Sequence, residues 1–244
     1  MLPESNLREL KVFLGQYAPV SAAYFCREIH SWMDSNTAQA ARSGLITEPT
    51  SYATAARRYF DYPRKLTRVF GIDSTRFIKF EDAAKAGLTS TFLREFSLPD
   101  LEAMGLPEER RNPSLSARAV ECLLLLNKLY PLHANVRPRS LQKSIEALPG
   151  EKYRSSELSP EEIAHFNRNA EKLARELGHR IYDLLPAKSE TSQREGSQRP
   201  EVGATETELQ KLLDEARSKE GPLQITSRLA AQWRRIKLLF QRIT

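Results

Sequence analysis

The sequence predicts an α/β chain rich in helix, and three observations lead there. A short, nearly unbroken small-and-apolar run, Val20–Cys26, and a run with alternating apolar residues, Arg76–Glu81, have the character of short buried strands. Each is followed by apolar residues at helical spacing, the order expected where helices layer on a sheet. At 40% hydrophobic and 28% charged, the 244 residues suffice for one medium domain with an appendage.

The elements follow in order. Ser5 or Asn6 caps a first helix whose apolar face is Leu7, Leu10, Phe13 and Leu14, and Gly15 suits its end. Pro19 introduces the first strand, which ends at Arg27-Glu28. A helix pattern then runs through Ile29, Trp32 and Met33 to Ala41, closed by Gly44. After a polar stretch over 45–54, a helix spans about 55–69, with Pro63 as a kink or break. Gly71 and Asp73 turn the chain into the second strand, and residues 88–96 return to helix. Asn112-Pro113-Ser114-Leu115-Ser116 forms a loop and cap before a deeply apolar helix over 117–130. Ser159-Pro160-Glu161-Glu162 opens a helix to Leu177, with a capping serine, a first-turn proline, a capping-box glutamate and a terminal Gly178. Residues 1–186 are thus the expected domain. Residues 187–204 read as a flexible linker and 205–244 as a helical tail.

The charge distribution bears on partners. Residues 222–244 hold Arg228, Arg234, Arg235, Lys237 and Arg242 and no acid, so most of the formal surplus of +6 lies there. The rest of the chain is close to neutral, which argues against general nucleic-acid binding. Cys26 and Cys122 are too few for a disulfide scaffold or a cysteine-based zinc site, and the four histidines show no close pairing, so no metal is expected. The N-terminus has no signal-peptide core, and no window approaches the roughly 18 uncharged apolar residues of a spanning helix, so a cytoplasmic setting is the default.

The chemistry concentrates in Tyr24-Phe25-Cys26-Arg27-Glu28-Ile29-His30-Ser31-Trp32-Met33-Asp34-Ser35. A guanidinium at a strand's carboxyl end, before a helix, stands where α/β sheets bind ligands. Its planar fork suits phosphate oxygens, helix-start amides add donors, and Ser35, two turns on, offers a hydroxyl. The competing reading is a solvated strand cap or a surface ion pair. His30 reads as a helix-start histidine and Cys26 as a small core residue. Arg110 and Arg111 either fold over a phosphate or form a solvated pair. Glu81 either orders a neighbouring arginine or lies on the surface.

This segment resembles the 3′-phosphate-binding element of sulfotransferases that use 3′-phosphoadenosine-5′-phosphosulfate (PAPS), in which an arginine ends a strand and a serine follows eight residues later. Trp32, Ser35 and Gln39 fit that pattern. Tyr62-Pro63-Arg64-Lys65-Leu66, then Val69-Phe70-Gly71-Ile72-Asp73 and Ile78-Lys79-Phe80-Glu81, look like the family's helix, "FG" turn and strand ending in "FE". Arg111–Ser116 with Leu126-Asn127 looks like the "RN-x-SLS … LN" stretch of bacterial members, and 159–178 resembles their closing helix. The shared order covers roughly residues 5–185 and the family's C-terminal two-thirds.

The resemblance implies a P-loop-like, three-layer sulfotransferase fold and transfer of a sulfonate from PAPS to a hydroxyl or amine, on a carbohydrate or lipid acceptor. It implies cofactor contacts from Arg27, Ser35 and Arg111 and no metal. The family opens with a strand, a Gly-Thr/Ser-rich loop and a helix that grip the 5′-phosphosulfate and carry the usual catalytic base. Nothing before Pro19 has that form, so the expected fold is truncated at its N-terminus and no catalytic base is named. The alternatives are a non-catalytic remnant or nucleotide-binding module, and an interaction protein acting through its tail. In that tail Ile225, Leu229, Trp233, Ile236, Phe240 and Ile243 fall within about 80° of a helical wheel with the basic residues elsewhere. The pattern suits an anionic membrane surface, giving a peripheral location, or an acidic partner. Docking on its own domain explains it equally.

Overall fold

The computed structural model describes residues 2–99, 101, 104–106, 114–129, 139–186, 207, 209–212 and 214. The elements are α1 (Glu4–Gly15), β1 (Ala22–Cys26), α2 (Ile29–Arg42), α3 (Tyr52–Phe70), β2 (Thr75–Lys79), α4 (Phe80–Ala86), α5 (Leu88–Glu95), α6 (Ala117–Leu129), α7 (Arg139–Glu146) and α8 (Pro160–Leu177). The α/β class holds: β1 and β2 pair in parallel, with Ala22 opposite Thr75 and Cys26 opposite Lys79.

The chain divides into two compact units. The first comprises 1–33, 50–113 and 155–195, the second 34–49, 114–154 and 196–244, so α2 begins in one and ends in the other. The first unit packs around an aromatic centre. Tyr59, Phe60, Phe166 and Tyr182 are buried together with Ile29, Met33 and Leu173, and Tyr59 stacks on Tyr182 with ring centroids 4.3 Å apart. A smaller cluster sets Leu7 of α1 against Leu66, Val69 and Phe70 of α3, with Val20, Ala22 and Tyr24 alongside. The second unit centres on α6, whose Val120, Cys122 and Leu123 are wholly buried with Ile145 of α7, and Leu209 joins that core. The described residues of the tail, 207, 209–212 and 214, are helical as expected. The linker 187–204 and the basic segment 222–244 lie outside the described residues.

Local chemistry accounts for the best-formed elements. The capping box opening α8 is present in both halves: Ser159 Oγ accepts from the Glu162 amide at 3.2 Å, and Glu162 accepts from the Ser159 amide at 2.8 Å. Gly178 ends that helix at φ 76°, a left-handed conformation that suits glycine. Ser116 caps α6 by accepting from the Ala119 amide at 3.1 Å, and its hydroxyl donates to Leu148 O at 2.8 Å. The side chain of Asn127 is buried and donates to the carbonyls of Ala41 at 2.9 Å and Ile46 at 2.6 Å, pinning the end of α2.

Four expectations are corrected. Of the two readings of Pro63, the break is overturned, because Pro63 lies inside α3 without ending it. The proline supplies no N–H to the Tyr59 carbonyl one turn earlier, and the Tyr182 hydroxyl donates to that oxygen instead, at 3.3 Å. The second strand stops at Lys79, because Phe80 and Glu81 begin α4, whose first turn carries Glu81 and Asp82 where acids favour a helix start. The first helix begins at Glu4 with Pro3 as its N-cap, so neither Ser5 nor Asn6 caps it. It buries only Leu7, leaving Leu10, Phe13 and Leu14 at 42%, 56% and 40% exposure.

Candidate functional site

Arg27 follows the last residue of β1 and precedes α2, at the carboxyl end of the sheet. Three elements hold it. Its carbonyl accepts the Tyr59 hydroxyl of α3. Its Nε donates to Ser31 Oγ on the first turn of α2 at 3.0 Å. Its guanidinium carbon lies 4.3 Å from the centre of the Phe80 ring of α4, a cation–π contact. The orientation of the fork is therefore set by packing. Tyr59 is buried and its phenol is pushed far up by desolvation, so it stays protonated and donates. Trp32 packs edge-on against the Tyr59 ring at 5.7 Å, which gives that tryptophan a structural task beside Arg27.

The helix-start amides are already engaged. Glu28 is the N-cap of α2. Its carboxylate accepts from the His30 amide at 3.0 Å and the Ser31 amide at 2.8 Å, the second and third helical positions. The Glu28 amide in turn donates to Glu81 Oε1 at 3.0 Å, so Glu81 lies beside the strand end and meets backbone there. Next to Arg27, therefore, stand two carboxylates, and an arriving phosphate would displace or neighbour them. Lys79, the last residue of β2, holds Asp183 at 3.0 Å. Cys26, one residue before Arg27, is 4% exposed. Burial, with the Glu81 carboxylate adding to it, pushes its thiol up to about 12, so it remains a protonated core residue.

Ser35 is exposed on α2, in the part of that helix belonging to the second unit, and Gln39 is exposed one turn further. Arg110 and Arg111 lie outside the described residues. Sequence reasoning missed Glu28 and Ser31. The signal was available, since a glutamate directly before the first apolar helical position can cap with its own carboxylate. Of the "SLS … LN" stretch, Ser116 and Asn127 serve as helix-end fasteners in the second unit.

Among the described residues no group of three or more His, Cys, Asp or Glu side chains is placed to hold a metal ion, and no helix is long and apolar enough to cross a membrane. No family model matches the chain, and no curated protein or solved structure matches it either.

Proposed function

We propose that this chain is a sulfotransferase-like protein that binds the 3′-phosphate of a PAPS-type nucleotide through Arg27 and acts in transferring the sulfonate to a hydroxyl or amine acceptor. The observation that supports the reading is the placement of Arg27, a guanidinium at the carboxyl end of a parallel strand, fixed by Ser31 and Phe80. Such a fork offers paired donors to phosphate oxygens. In the reaction the acceptor oxygen or nitrogen forms a bond to sulfur as the bond from sulfur to the phosphate oxygen breaks. Adenosine 3′,5′-bisphosphate leaves, and the acceptor proton passes to a base. Arg27 acts on the nucleotide and holds it for that displacement.

A second reading, a nucleotide-binding module without transferase activity, is favoured by Glu28. Its carboxylate sits on the two amides that would otherwise meet an anion.

Calorimetry with two nucleotides tests the binding common to both readings. Adenosine 3′,5′-bisphosphate is expected to bind and 5′-AMP, which lacks the 3′-phosphate, to bind at least tenfold more weakly. Equal affinity for the two refutes the assignment. Release of adenosine 3′,5′-bisphosphate from PAPS in the presence of hydroxyl or amine acceptors then separates the transferase from the module.

A further inference from the structure

A planar guanidinium can meet an oxyanion with two parallel N–H bonds from either of two edges. One edge is Nε with an η nitrogen, the other is the two η nitrogens together. In this chain the first edge is committed within the protein. Arg27 Nε carries one hydrogen and donates it to Ser31 Oγ at 3.0 Å. Ser31 is itself held in the first turn of α2, where its amide donates to the Glu28 carboxylate at 2.8 Å. The Phe80 ring covers the guanidinium from one side, its centre 4.3 Å from the guanidinium carbon. The Tyr59 hydroxyl, donating to the Arg27 carbonyl, fixes the backbone from which the side chain leaves. Arg27 and Ser31 are both half-buried, so water competes less for their hydrogen bond than on an open surface.

We propose that Arg27 takes its phosphate end-on, through Nη1 and Nη2, and that Ser31 is the positioning residue that selects this edge. The inference rests on the nucleotide reading of Arg27 and adds to it the edge used and the residue that sets it. Ser31 acts through the guanidinium. Its hydroxyl oxygen occupies the Nε hydrogen, so a phosphate cannot take the side-on edge without displacing it. It also orders a long, rotamer-rich side chain before any ligand arrives, and binding then pays less to immobilise it. Without that hydroxyl the fork can turn, both edges become available, and the ordering cost returns to the binding step.

The test is a titration of the full chain, labelled with nitrogen-15 in arginine, with adenosine 3′,5′-bisphosphate. The Arg27 Nε–H signal is assigned by its absence from the spectrum of Arg27→Lys. At saturation that signal is expected to keep its Ser31-bonded position in wild type and to move downfield in Ser31→Ala, where the edge has been released. By calorimetry Ser31→Ala should bind the bisphosphate about three- to tenfold more weakly, the cost of ordering one such side chain. Ser31→Thr keeps the hydroxyl and should bind within about twofold of wild type. Alanine is the better helix former of the two, so a role in helix stability alone would give the opposite order. A downfield move of the Nε–H signal in wild type places the phosphate on Nε. It overturns the proposal while leaving the nucleotide reading intact, and it needs no variant at Ser31 to fold. Ser31→Ala that binds as wild type does, or Ser31→Thr that binds as weakly as Ser31→Ala, also overturns it. Equal affinity of wild type for the bisphosphate and 5′-AMP instead removes the nucleotide reading, and this inference with it.

Discussion

Removing the Glu28 side chain separates a helix cap from an anion competitor in one experiment. The carboxylate accepts two amide hydrogens at the start of α2, at 3.0 and 2.8 Å, and its negative charge sits at the positive end of a 14-residue helix. Loss of an N-cap costs about 1 kcal/mol, and loss of a charge at a helix start about 0.5 kcal/mol more. Glu28→Ala is therefore expected to destabilise the chain by about 1.5 kcal/mol. Glu28→Gln keeps an acceptor oxygen and should cost about half as much. Glu28→Asp restores a preferred capping side chain and should lie nearest wild type. Urea unfolding followed by circular dichroism measures the series. If Arg27 binds a phosphate, the same carboxylate repels it. Glu28→Gln should then tighten adenosine 3′,5′-bisphosphate by about 1 kcal/mol, or about fivefold, the size of a solvent-screened charge interaction. Opposite signs, weaker folding with tighter binding, are the signature. A Glu28→Ala protein as stable as wild type refutes the cap, and unchanged or weaker nucleotide binding in Glu28→Gln refutes the competition.

Three further outcomes follow from the packing, the titrations and the tail. Tyr182→Phe deprives the Tyr59 carbonyl of its donor and should cost about 1 kcal/mol. Pro63→Ala, which returns an N–H to that carbonyl, should offset part of the loss, so a double-mutant cycle in urea reads a coupling. Burial raises the Tyr24 and Tyr52 phenols from 10.0 to about 12 and pushes Tyr182 up as well, so their folded forms disfavour ionisation. The stability they contribute is fully present below pH 10 and is lost as pH rises toward 12. Thermal unfolding at pH 8 and 11, with phenolate absorbance as a second probe, should show that fall, and an unchanged melting temperature contradicts it. If residues 222–244 seek anionic surfaces, the intact chain should co-sediment with vesicles containing anionic lipid at low salt, and Arg234→Glu with Arg235→Glu should abolish this. Equal retention by neutral vesicles, or none by either, returns the segment to a docked helix.

What the sequence could disclose depended on whether local rules decided each element. The α8 helix was legible from four residues because Ser159, Pro160, Glu162 and Gly178 act within one turn of its ends. The two strands were legible because Pro19 and Arg27-Glu28 bound a short apolar run, and the turn at Gly71 and Asp73 opens an alternating one. The boundary at Lys79 was not, since Phe80 and Glu81 continue the alternation that reads as strand while an acidic first turn draws them into α4. Pro63 misled for a tertiary reason: the hydroxyl that replaces its N–H comes from Tyr182, 119 positions away, and no local window contains both. Helix α7 went unread, although α5, of the same length, was legible. At the site, Arg27 was visible as the residue closing a strand. Its partners Tyr59 and Phe80 belong to other elements, and the Glu28 cap was hidden by reading Arg27-Glu28 as a charged pair that merely ends β1.

The guanidinium of Arg27 is the centre of the proposed nucleotide site, and a binding series at that position tests its role most directly. Titration of adenosine 3′,5′-bisphosphate into wild type, Arg27→Ala and Arg27→Lys by calorimetry, with each fold verified by circular dichroism, gives three affinities. Loss of a paired, charged contact should weaken the alanine variant by roughly 2–4 kcal/mol, about thirtyfold or more. Lysine should recover only part of this, because an ammonium cannot present two parallel donors. Affinity for 5′-AMP should be nearly the same in all three proteins. A folded Arg27→Ala chain that binds the bisphosphate as wild type does contradicts the assignment.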